Sequence, residues 1–370
     1  MPPSMRRLLL RVSAAGLLWT QAGYGLALAL LHPRAARPPH RAPWTPRVSL
    51  IVAAHREEAV IADKVRDALA LDWPRDRLEI MVAVDGGADD GADATAAEAM
   101  AAGADIVLAL PRGGKVRAQD AAVRRATGEL LAFSDANAQW APDALRELTA
   151  AFADDEVAYA CGQVSFVNQE GTNQENLYWR YELWLRERES DLCSITAGNG
   201  AIYAVRPEDY FEGDPRVSHD LAFPFALAKR GRRCVYVPAA RATEKMVPSV
   251  EGEWRRKRRM MAHAWPAVAT AGLADPRGYP PRYAAMIASH RLLRYATPLL
   301  HAVLFLTSRG PLLAAQVALL AAAAAGGSVR SRPLLIARYY VLTTASIAFG
   351  LWDWLRHGTE AGWDAAEGTR

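Results

Sequence analysis

Cysteine is scarce in this chain, and the few cysteines present do not form a metal-binding pattern. Cys161, Cys193 and Cys234 are widely separated, and neither a C-x-x-C pair nor a nearby cluster of cysteine and histidine accompanies them. Structural zinc sites require such closely spaced ligands. We therefore expect three buried, reduced thiols in a domain that is kept in a reducing compartment.

A large excess of charge of one sign is also missing. The chain has 44 Lys+Arg and 40 Asp+Glu, which leaves a formal net charge of +4. Such a balance does not indicate binding to nucleic acid, and we expect no nucleic-acid partner. With 51% apolar residues in 370, the sequence excludes a disordered chain and is long enough for about two domains.

Long apolar runs are present at both ends of the chain. Val12–Leu31 contains no charged residue and is long enough to cross a bilayer as a helix. Because Arg6, Arg7 and Arg11 precede it, a secretory signal peptide is the alternative to the uncleaved anchor that we expect. Three further candidate spans are Leu292–Thr307, Leu312–Gly327 and Leu334–Leu355. Buried helices of a soluble domain are the alternative interpretation of these three runs.

The arginines predict the orientation of the spans. With four spans, three groups of arginines fall on one side of the membrane, which the positive-inside rule assigns to the cytoplasm. The groups are Arg34, Arg37, Arg41 and Arg47, then Arg282, Arg291 and Arg294, then Arg330 and Arg332. We therefore expect an integral protein of the bacterial inner membrane, with membrane lipid as a partner and the middle domain in the cytoplasm.

The predicted organisation has five parts. They are a transmembrane anchor (1–31), a Pro/Arg-rich linker (32–47), an α/β domain (48–275), a C-terminal membrane region of about three helices (276–355) and a tail (356–370).

The middle domain alternates predicted strands with predicted helices. The strands are Val48–Ala53, Leu78–Val84, Ile106–Leu110 and Leu130–Ser134, and the helices are Ala59–Leu71, Ala92–Ala102, Lys115–Ala126 and one opened by Pro142. This alternation predicts a Rossmann-like, mainly parallel sheet with helices on both faces. Ligands of such sheets bind beyond the carboxyl ends of the strands. Asp85 and Asp135 each follow a strand at that edge, which makes them candidate functional residues.

A series of motifs follows the same order as in a known family. The segments are Ser49–Glu58, Val84–Asp90, Gly114-Lys115, Ala126–Glu129, Phe133–Asn137, Thr196–Arg206 and His219–Leu221. From about Val48 to Trp265 this series resembles the family-2 glycosyltransferases. The resemblance implies a GT-A fold and an inverting transfer of a sugar from a nucleotide-sugar, with a UDP-sugar as the expected donor. It also implies a glycan acceptor, in envelope or extracellular polysaccharide synthesis.

The resemblance implies a role for each matching residue. The residues that match donor-binding positions are Glu57, Asp85, Lys115 and Asp135, and those that match the divalent-metal site (Mg²⁺ or Mn²⁺) are Asp135 and Asn137. Asp220 matches the general base, and Gly198, Asn199 and Gly200 match the acceptor side. Arg256 and Arg259 are candidates for contact with the diphosphate or with the membrane interface. Asn137 stands where many relatives have a second aspartate, and His219 replaces the first acid of the catalytic pair. The Gln-x-x-Arg-Trp motif of processive synthases does not occur, which leaves processive or single addition open.

Each of these residues also has a purely structural interpretation. Asp85 could shape a turn, Asp135–Asn137 could begin a helix, and Asp220 could cap the helix that follows. Lys115 could be a solvated helix residue.

Two longer segments have alternative interpretations as well. Trp254, Met261 and Trp265 share one face of a predicted basic helix, which could lie on the inner leaflet or direct arginines to a diphosphate. The aromatic stripe of Leu177–Leu185 could pack in the core or contact a sugar or lipid. Two other functions also stay open: transfer to a lipid acceptor (polyprenyl phosphate or diacylglycerol), and a non-catalytic membrane scaffold that retains the fold.

Overall fold

A computed structural model describes residues 1–89, 93–167, 175–245, 247, 250–329, 331–359 and 361. Asp90 of the second motif and Arg330 of the third arginine group lie outside the described residues. The strands are β1 Val48–Ala54, β2 Leu78–Asp85, β3 Ile106–Leu110, β4 Leu130–Asp135, β5 Gln139–Trp140, β6 Val157–Val167, β7 Ile202–Val205 and β8 Arg233–Lys245. The helices of the first half are α1 Pro3–Leu18, α2 Tyr24–Ala35, α3 Ile61–Leu69, α4 Thr95–Ala101, α5 Lys115–Val123, α6 Ala144–Thr149 and α7 Glu175–Leu192. Those of the second half are α8 His219–Lys229, α9 Val250–Ala269, α10 Pro281–Met286, α11 Leu293–Tyr295, α12 Thr297–Thr307, α13 Gly310–Ala325 and α14 Arg332–His357.

The described strands form a single mixed sheet in the order β3-β2-β1-β4-β7-β6-β8-β5. The first four of these are parallel, as the alternation of strands and helices predicted. β7 is antiparallel to both of its neighbours, and the short β5 is antiparallel to β8. The mainly parallel α/β prediction is therefore confirmed, with two antiparallel strands that the sequence did not predict.

Successive residues of the central strands supply apolar side chains to the two faces of the sheet. On one face Leu50 packs in a cluster with Ile80 and Trp140. On the other face Ile51 belongs to a cluster with Phe133 and Tyr203, whose rings stack at 4.7 Å between centroids. Strands buried on both faces explain the continuous apolar runs in the sequence. Each large side chain buried in this way contributes about 1.5–3 kcal/mol.

The register of the central strands brings their polar ends to one edge. Ala53 of β1 pairs with Asp135 at the end of β4, and Leu110 of β3 pairs with Asp85 at the end of β2. The two aspartates therefore lie at the same edge of the sheet, where the parallel strands end. This is the edge at which open α/β sheets bind ligands.

The N-terminal helix, which contains the first apolar run, packs against the α/β domain. α1 and α2 are continuous through a π-helical turn at Trp19–Gly23. Tyr24 of α2 donates a hydrogen bond to the buried Glu189 of α7 over 2.5 Å. Leu28, one turn later, is also buried. One face of the second half of the run Val12–Leu31 therefore contacts protein, while Leu26 and Leu30 stay exposed.

Among the described residues, two helices are long and apolar enough to cross a membrane. They are the continuous helix Pro3–Ala35 and α14, whereas α12 and α13 are shorter apolar helices.

The C-terminal segment returns to the α/β domain. Thr359 donates a hydrogen bond to the carbonyl of Ala262 in α9 over 2.9 Å, and Ala361 lies against Gly114 of the α/β domain. Four full spans would put these residues on the opposite side of the membrane, so the number of crossings after the α/β domain stays a prediction.

The apolar stripe of α9 packs on α14. The Trp254 ring meets Phe349 edge-on at 5.6 Å, and the Trp265 indole donates to the Ile347 carbonyl over 3.1 Å. Arg258 adds a two-pronged ion pair with Asp353, with 2.5 Å for each hydrogen bond. This stripe therefore contacts protein, in place of the lipid contact that the sequence allowed.

The three cysteines are free thiols, as predicted. Cys161 and Cys234 are buried, while Cys193 is only half-buried. Burial raises the pKa of Cys161 to about 11, so that its thiol stays protonated at neutral pH.

Candidate active site

Asp85 organises the loop between β3 and α5. Its carboxylate accepts the backbone N–H groups of Gly113 and Gly114 at 2.6 and 2.9 Å. The Arg112 guanidinium donates to the other carboxylate oxygen over 3.0 Å. The positive φ of Gly114, 92°, lets the loop turn into α5 at this point. The predicted donor-binding carboxylate therefore holds the loop from which Lys115 begins its helix.

Glu57 lies in the loop between β1 and α3, close to the end of β2. Its side chain is buried, and its backbone N–H donates to the Thr95 hydroxyl over 2.8 Å. In the same loop, the His55 ring contacts the Asp85 carbonyl at 2.6 Å. The structure thus brings Glu57 and Asp85, both predicted to bind the donor, to one wall of the sheet edge.

Lys115 and Asp135 form an ion pair across this edge. Both side chains are 19% exposed, so the interpretation of Lys115 as a solvated helix residue is wrong. Burial lowers the pKa of Lys115, but the Asp135 charge and hydrogen bond outweigh it, and the net shift is upward. Lys115 therefore carries a positive charge at neutral pH, as a diphosphate contact would require.

Asp135 and Asn137 lie in the turn that follows β4. The Ala138 N–H donates to the Asp135 carbonyl over 3.2 Å, which closes the turn before β5. The helix-start interpretation is wrong, since β5 follows the turn and α6 begins only at Ala144. Carboxylate and amide oxygens suit Mg²⁺ and Mn²⁺.

These two side chains fit a partly hydrated cation. The described residues contain no group of three or more His, Cys, Asp or Glu that would enclose a metal by itself. Mg²⁺ is usually bound through one or two carboxylates together with water and substrate phosphates.

Glu244 is a third carboxylate of the site, and the sequence analysis missed it. It follows Thr243, which pairs with Gln139 two residues beyond Asn137. Burial raises the pKa of Glu244, and the negative charge of Asp135 raises it further. A signal was available, because Glu244 lies near the end of an apolar strand as Asp85 and Asp135 do. That strand, β8, was not predicted.

Asp220 lies in the first turn of α8 and does not cap that helix. The helix begins at His219, and Ser218 occupies the N-cap position. The side chain of Asp220 is half-buried and accepts no hydrogen bond from the described residues. Its charge helps to raise the pKa of Lys115, and its backbone carbonyl accepts the Gly198 N–H over 2.7 Å, so Asp220 lies beside the acceptor-side loop and within electrostatic range of the Lys115 amine. The capping interpretation is therefore wrong, and the carboxylate is left available for chemistry.

The His219 side chain lies in an aromatic cluster with Tyr203, Tyr210 and Phe223. The ring is buried, and its Nδ1 lies 3.1 Å from the Tyr203 hydroxyl. Burial, helped by the Lys115 charge, lowers the pKa of His219 to about 3. The imidazole is therefore neutral at physiological pH.

The acceptor-side segment is a tightly held loop beside the Lys115–Asp135 pair. The Asn199 side chain donates to the Gly162 carbonyl over 2.7 Å and accepts the Ile202 N–H over 3.0 Å. A Cβ on Gly200 would lie 3.1 Å from the Lys115 amine. Asn199 thus fixes the shape of the loop, and Gly200 is the residue that faces the ion pair.

α9 brings arginine to the border of the site. Arg256 forms an ion pair with Glu253 at 2.7 Å, and its charge also lowers the pKa of Glu244 against the effect of burial. Arg259 lies one turn further along the same helix.

The aromatic segment of α7 contributes to the core. The Trp179 indole donates to the Val164 carbonyl over 2.9 Å, and its ring packs edge-on against Phe166 at 5.4 Å. Among the residues of the predicted stripe, Leu185 is buried in a core cluster against which Tyr181 and Trp184 pack, which confirms the core-packing interpretation for these three. The side chain of Leu177 lies outside the described residues.

Comparisons with known proteins identify the class to which this fold and site belong. A family model described as Glycosyl transferase family 2 matches residues 49–212, and one described as Glycosyl transferase family group 2 matches residues 132–352. Because the second match covers more than half of the chain, the chain belongs to the family-2 glycosyltransferases.

Individual relatives are more distant. Beta-monoglucosyldiacylglycerol synthase of Trichormus variabilis is 28% identical over 232 residues, which cover 58% of this chain and 48% of that protein. An N-acetylglucosaminyltransferase of Mesorhizobium japonicum is 27% identical over 245 residues, 61% of this chain and 57% of that protein. The chain thus spans about half the length of the curated relatives it matches.

One solved structure covers nearly the whole chain. The mannosyltransferase PcManGT of Pyrobaculum calidifontis, in complex with GDP-Man and Mn²⁺, superimposes with a TM-score of 0.70 at 24% identity. The match covers 93% of this chain and 99% of that one. At this identity the likeness establishes the fold, which is GT-A-type, and extends over the terminal helices as well.

Proposed function

We propose that the protein transfers a sugar, with inversion, from a nucleotide-sugar to a glycan acceptor at the membrane, in envelope or extracellular polysaccharide synthesis. The observation that carries this proposal is the arrangement at one sheet edge. Asp85, the Lys115–Asp135 pair and Gly200 lie at the edge where the parallel strands end, and Asp220 is joined to the same loop as Gly200 through the Gly198 N–H. Each is a group that the reaction needs, and they come from different parts of the sequence.

The donor occupies the wall formed by Glu57, Asp85 and Lys115. The Lys115 ammonium neutralises part of the charge of the diphosphate. A hydrogen bond from a charged amine to a phosphate oxygen is strong, and more so in a partly buried site. A UDP-sugar is the donor that we test first. GDP-mannose is the second, because the structurally similar mannosyltransferase binds it.

Asp135 and Asn137 hold a divalent cation, Mg²⁺ or Mn²⁺. When bound, such a cation supplies charge stabilisation to the departing nucleoside diphosphate. The structurally similar mannosyltransferase binds Mn²⁺ together with its donor, which supports this assignment.

Asp220 is the general base. Its carboxylate takes the proton from the acceptor hydroxyl as that oxygen attacks the anomeric carbon and the nucleoside diphosphate departs. The neighbouring loop Gly198–Gly200 holds the acceptor against the Lys115–Asp135 pair. Burial lowers the pKa of His219 to about 3, which makes it a poor proton acceptor, and its ring packs in the aromatic cluster, so it does not share this role.

Membrane placement completes the proposal. The protein is anchored in the inner membrane through the helix Pro3–Ala35. The α/β domain lies in the cytoplasm, the side that the positive-inside rule assigns to the arginines directly after this anchor, Arg37, Arg41 and Arg47. α12–α14 associate with the same membrane, since many of their large apolar side chains are exposed, among them Leu306 at 80%.

A lipid acceptor is the second candidate. The apolar helix α14 packs along α9, which carries Arg256 to the border of the site. A lipid-linked hydroxyl or phosphate could reach the site along these helices. The name of the Trichormus relative, a glucosyldiacylglycerol synthase, favours the same class of acceptor.

The decisive experiment is a donor screen with purified full-length protein. Release of nucleoside diphosphate from UDP- and GDP-sugars is measured with soluble glycans or with lipid extracts as acceptors. We expect release with at least one donor, dependent on Mg²⁺ or Mn²⁺ and lost in Asp135→Ala. Turnover by Asp135→Ala in the presence of a chelator would remove the metal assignment, and complete inactivity of the wild type with every donor would favour a non-catalytic scaffold.

A further inference from the structure

A lysine lies on the buried face of α3, where the proposed function gives it no role. Lys64 is flanked by Ile61, Val65 and Ala68, all fully buried, and only 1% of its side chain is exposed. Lysine is almost never buried to this extent unless its charge is paired. Its presence on an apolar helix face therefore requires a specific partner.

The partner is the turn that carries the proposed metal ligands. The Lys64 ammonium donates to the Ala138 carbonyl over 2.7 Å and to Asp67 over 3.2 Å. The Ala138 N–H donates to the Asp135 carbonyl over 3.2 Å. Both sides of the Ala138 residue are thus held, one by Asp135 and the other by Lys64.

The same contacts continue to the acceptor-side loop. The Asp67 oxygen that meets Lys64 also accepts the Trp140 N–H over 3.0 Å. The Trp140 indole donates to the Ala201 carbonyl over 3.0 Å, directly after Gly200. A buried chain of hydrogen bonds therefore runs from α3 through the β4–β5 turn to the loop beside Asp135.

The charge of Lys64 acts on the site as well. Burial lowers the pKa of Lys64, and the charges of Asp67, Asp135 and Glu244 all oppose that shift. The ammonium is therefore close enough to attract both Asp135 and Glu244.

We propose that Lys64 is a positioning residue for the divalent-cation site, which it serves by holding the turn that presents Asp135 and Asn137. This inference rests on the proposed role of Asp135 as a ligand of the cation. A hydrogen-bond partner behind a metal ligand orients that ligand, and its loss typically weakens metal binding by about 10–100-fold. Lys64 holds the carbonyl group of Ala138 in the turn. Without it the turn is less fixed, and so are the side-chain oxygens of Asp135 and Asn137 that the cation would bind.

The test measures Mn²⁺ binding directly. Free Mn²⁺ is titrated by electron paramagnetic resonance against purified full-length protein in excess UDP, and separately in excess GDP. We expect Lys64→Met to raise the dissociation constant for Mn²⁺ about 10–100-fold. The matched control is Arg66→Met, which removes a positive charge from an exposed position on the same helix and leaves the constant unchanged.

Thermal unfolding separates positioning from a merely structural role. A lower melting temperature with an unchanged Mn²⁺ constant in folded Lys64→Met would overturn the inference. If Lys64→Met does not fold, Asp67→Asn takes its place, because it weakens the charged partner of Lys64 and keeps an oxygen for the Trp140 N–H. Unchanged Mn²⁺ binding in that variant would overturn the inference equally.

Asp135→Ala is measured in parallel. If it binds Mn²⁺ as the wild type does, the proposed cation site itself fails. If it loses Mn²⁺ while Lys64→Met keeps it, only the role of Lys64 fails.

Discussion

The backbone N–H of Gly198 donates a hydrogen bond to the carbonyl oxygen of Asp220 over 2.7 Å. The acceptor-side loop and the first turn of α8 are therefore joined at the residue that we assign as the base. A shift of the loop would displace the Asp220 backbone with it.

Substitution of the two glycines of this loop is expected to have different effects. A Cβ on Gly198 would lie 2.2 Å from the buried Tyr159 hydroxyl, whereas a Cβ on Gly200 would lie 3.1 Å from the flexible end of Lys115 and 3.5 Å from an Asp135 oxygen. We expect Gly198→Ala to lower both the melting temperature and the transfer rate. Gly200→Ala is expected to keep the melting temperature and to lower the rate. Thermal unfolding and transfer assays of both variants check this, and equal melting temperatures would contradict it.

Asp220→Asn is expected to abolish most sugar transfer without loss of fold. The amide cannot take a proton from the acceptor, which costs about 10²–10⁴-fold in rate, or roughly 3–5 kcal/mol of transition-state stabilisation. Asp220 is not the N-cap residue, so the loss of its charge in the first turn of the helix costs only about 0.3–1 kcal/mol of stability. Transfer rates, donor affinity and Mn²⁺ affinity are measured side by side. Glu212→Gln, an exposed acid paired with Arg124, is the control that keeps full activity.

His219 is expected to make stability depend on pH. Its pKa is about 3 in the folded protein and 6.5 in the reference state, so the unfolded chain binds the proton first as the pH falls. Stability is therefore complete above pH 6.5 and is lost below it, by about 2 kcal/mol between pH 7 and pH 5. His219→Gln removes this contribution. The melting temperature of the variant should fall less between these two pH values than that of the wild type, and parallel curves would exclude His219 as the cause.

Cysteine labelling in intact cells tests the topology. In a Cys193→Ser background, which removes the half-buried thiol, single cysteines replace Ser4, Arg125 and His357. All three positions are exposed. We expect Arg125→Cys and His357→Cys to be protected from a membrane-impermeant reagent and Ser4→Cys to react. Reaction at Arg125→Cys would remove the cytoplasmic assignment, and reaction at His357→Cys alone would contradict the packing of α14.

The sequence predicted the parallel half of the sheet well, because residues close in sequence decide it. Apolar runs such as Leu130–Ser134 are buried on both faces, and the aspartates that end two of the runs, Asp85 and Asp135, mark the carboxyl edge. The antiparallel strands were missed, since β7 pairs with β4 through contacts between distant segments. Lys64 and Glu244 were missed for a related reason. In the sequence, a lysine on a helix and a glutamate on a strand look like solvated residues. Only the folded structure shows that the turn at Ala138 and the strand after it pack against them.

The terminal helices show which part of their surroundings a sequence does not reveal. Hydropathy measures the preference of a segment for an apolar environment and does not identify that environment. α14 satisfies its preference partly against Trp254 and Trp265 of α9, and α2 does so partly against α7. The sequence of either helix alone carries no sign of these partners.

The contact of Ala361 with Gly114 limits the number of membrane crossings that the chain can make after the α/β domain. Both ends of the stretch from α9 to Ala361 lie on the side of the α/β domain. In the inserted protein that we propose, the chain between them crosses the bilayer an even number of times, or not at all. In that arrangement α12, α13 and α14 are not all complete crossings, and at least one of them enters and leaves by the same face or lies along it. Whether Met1 and the α/β domain lie on opposite sides of the membrane then depends only on whether the helix Pro3–Ala35 crosses it.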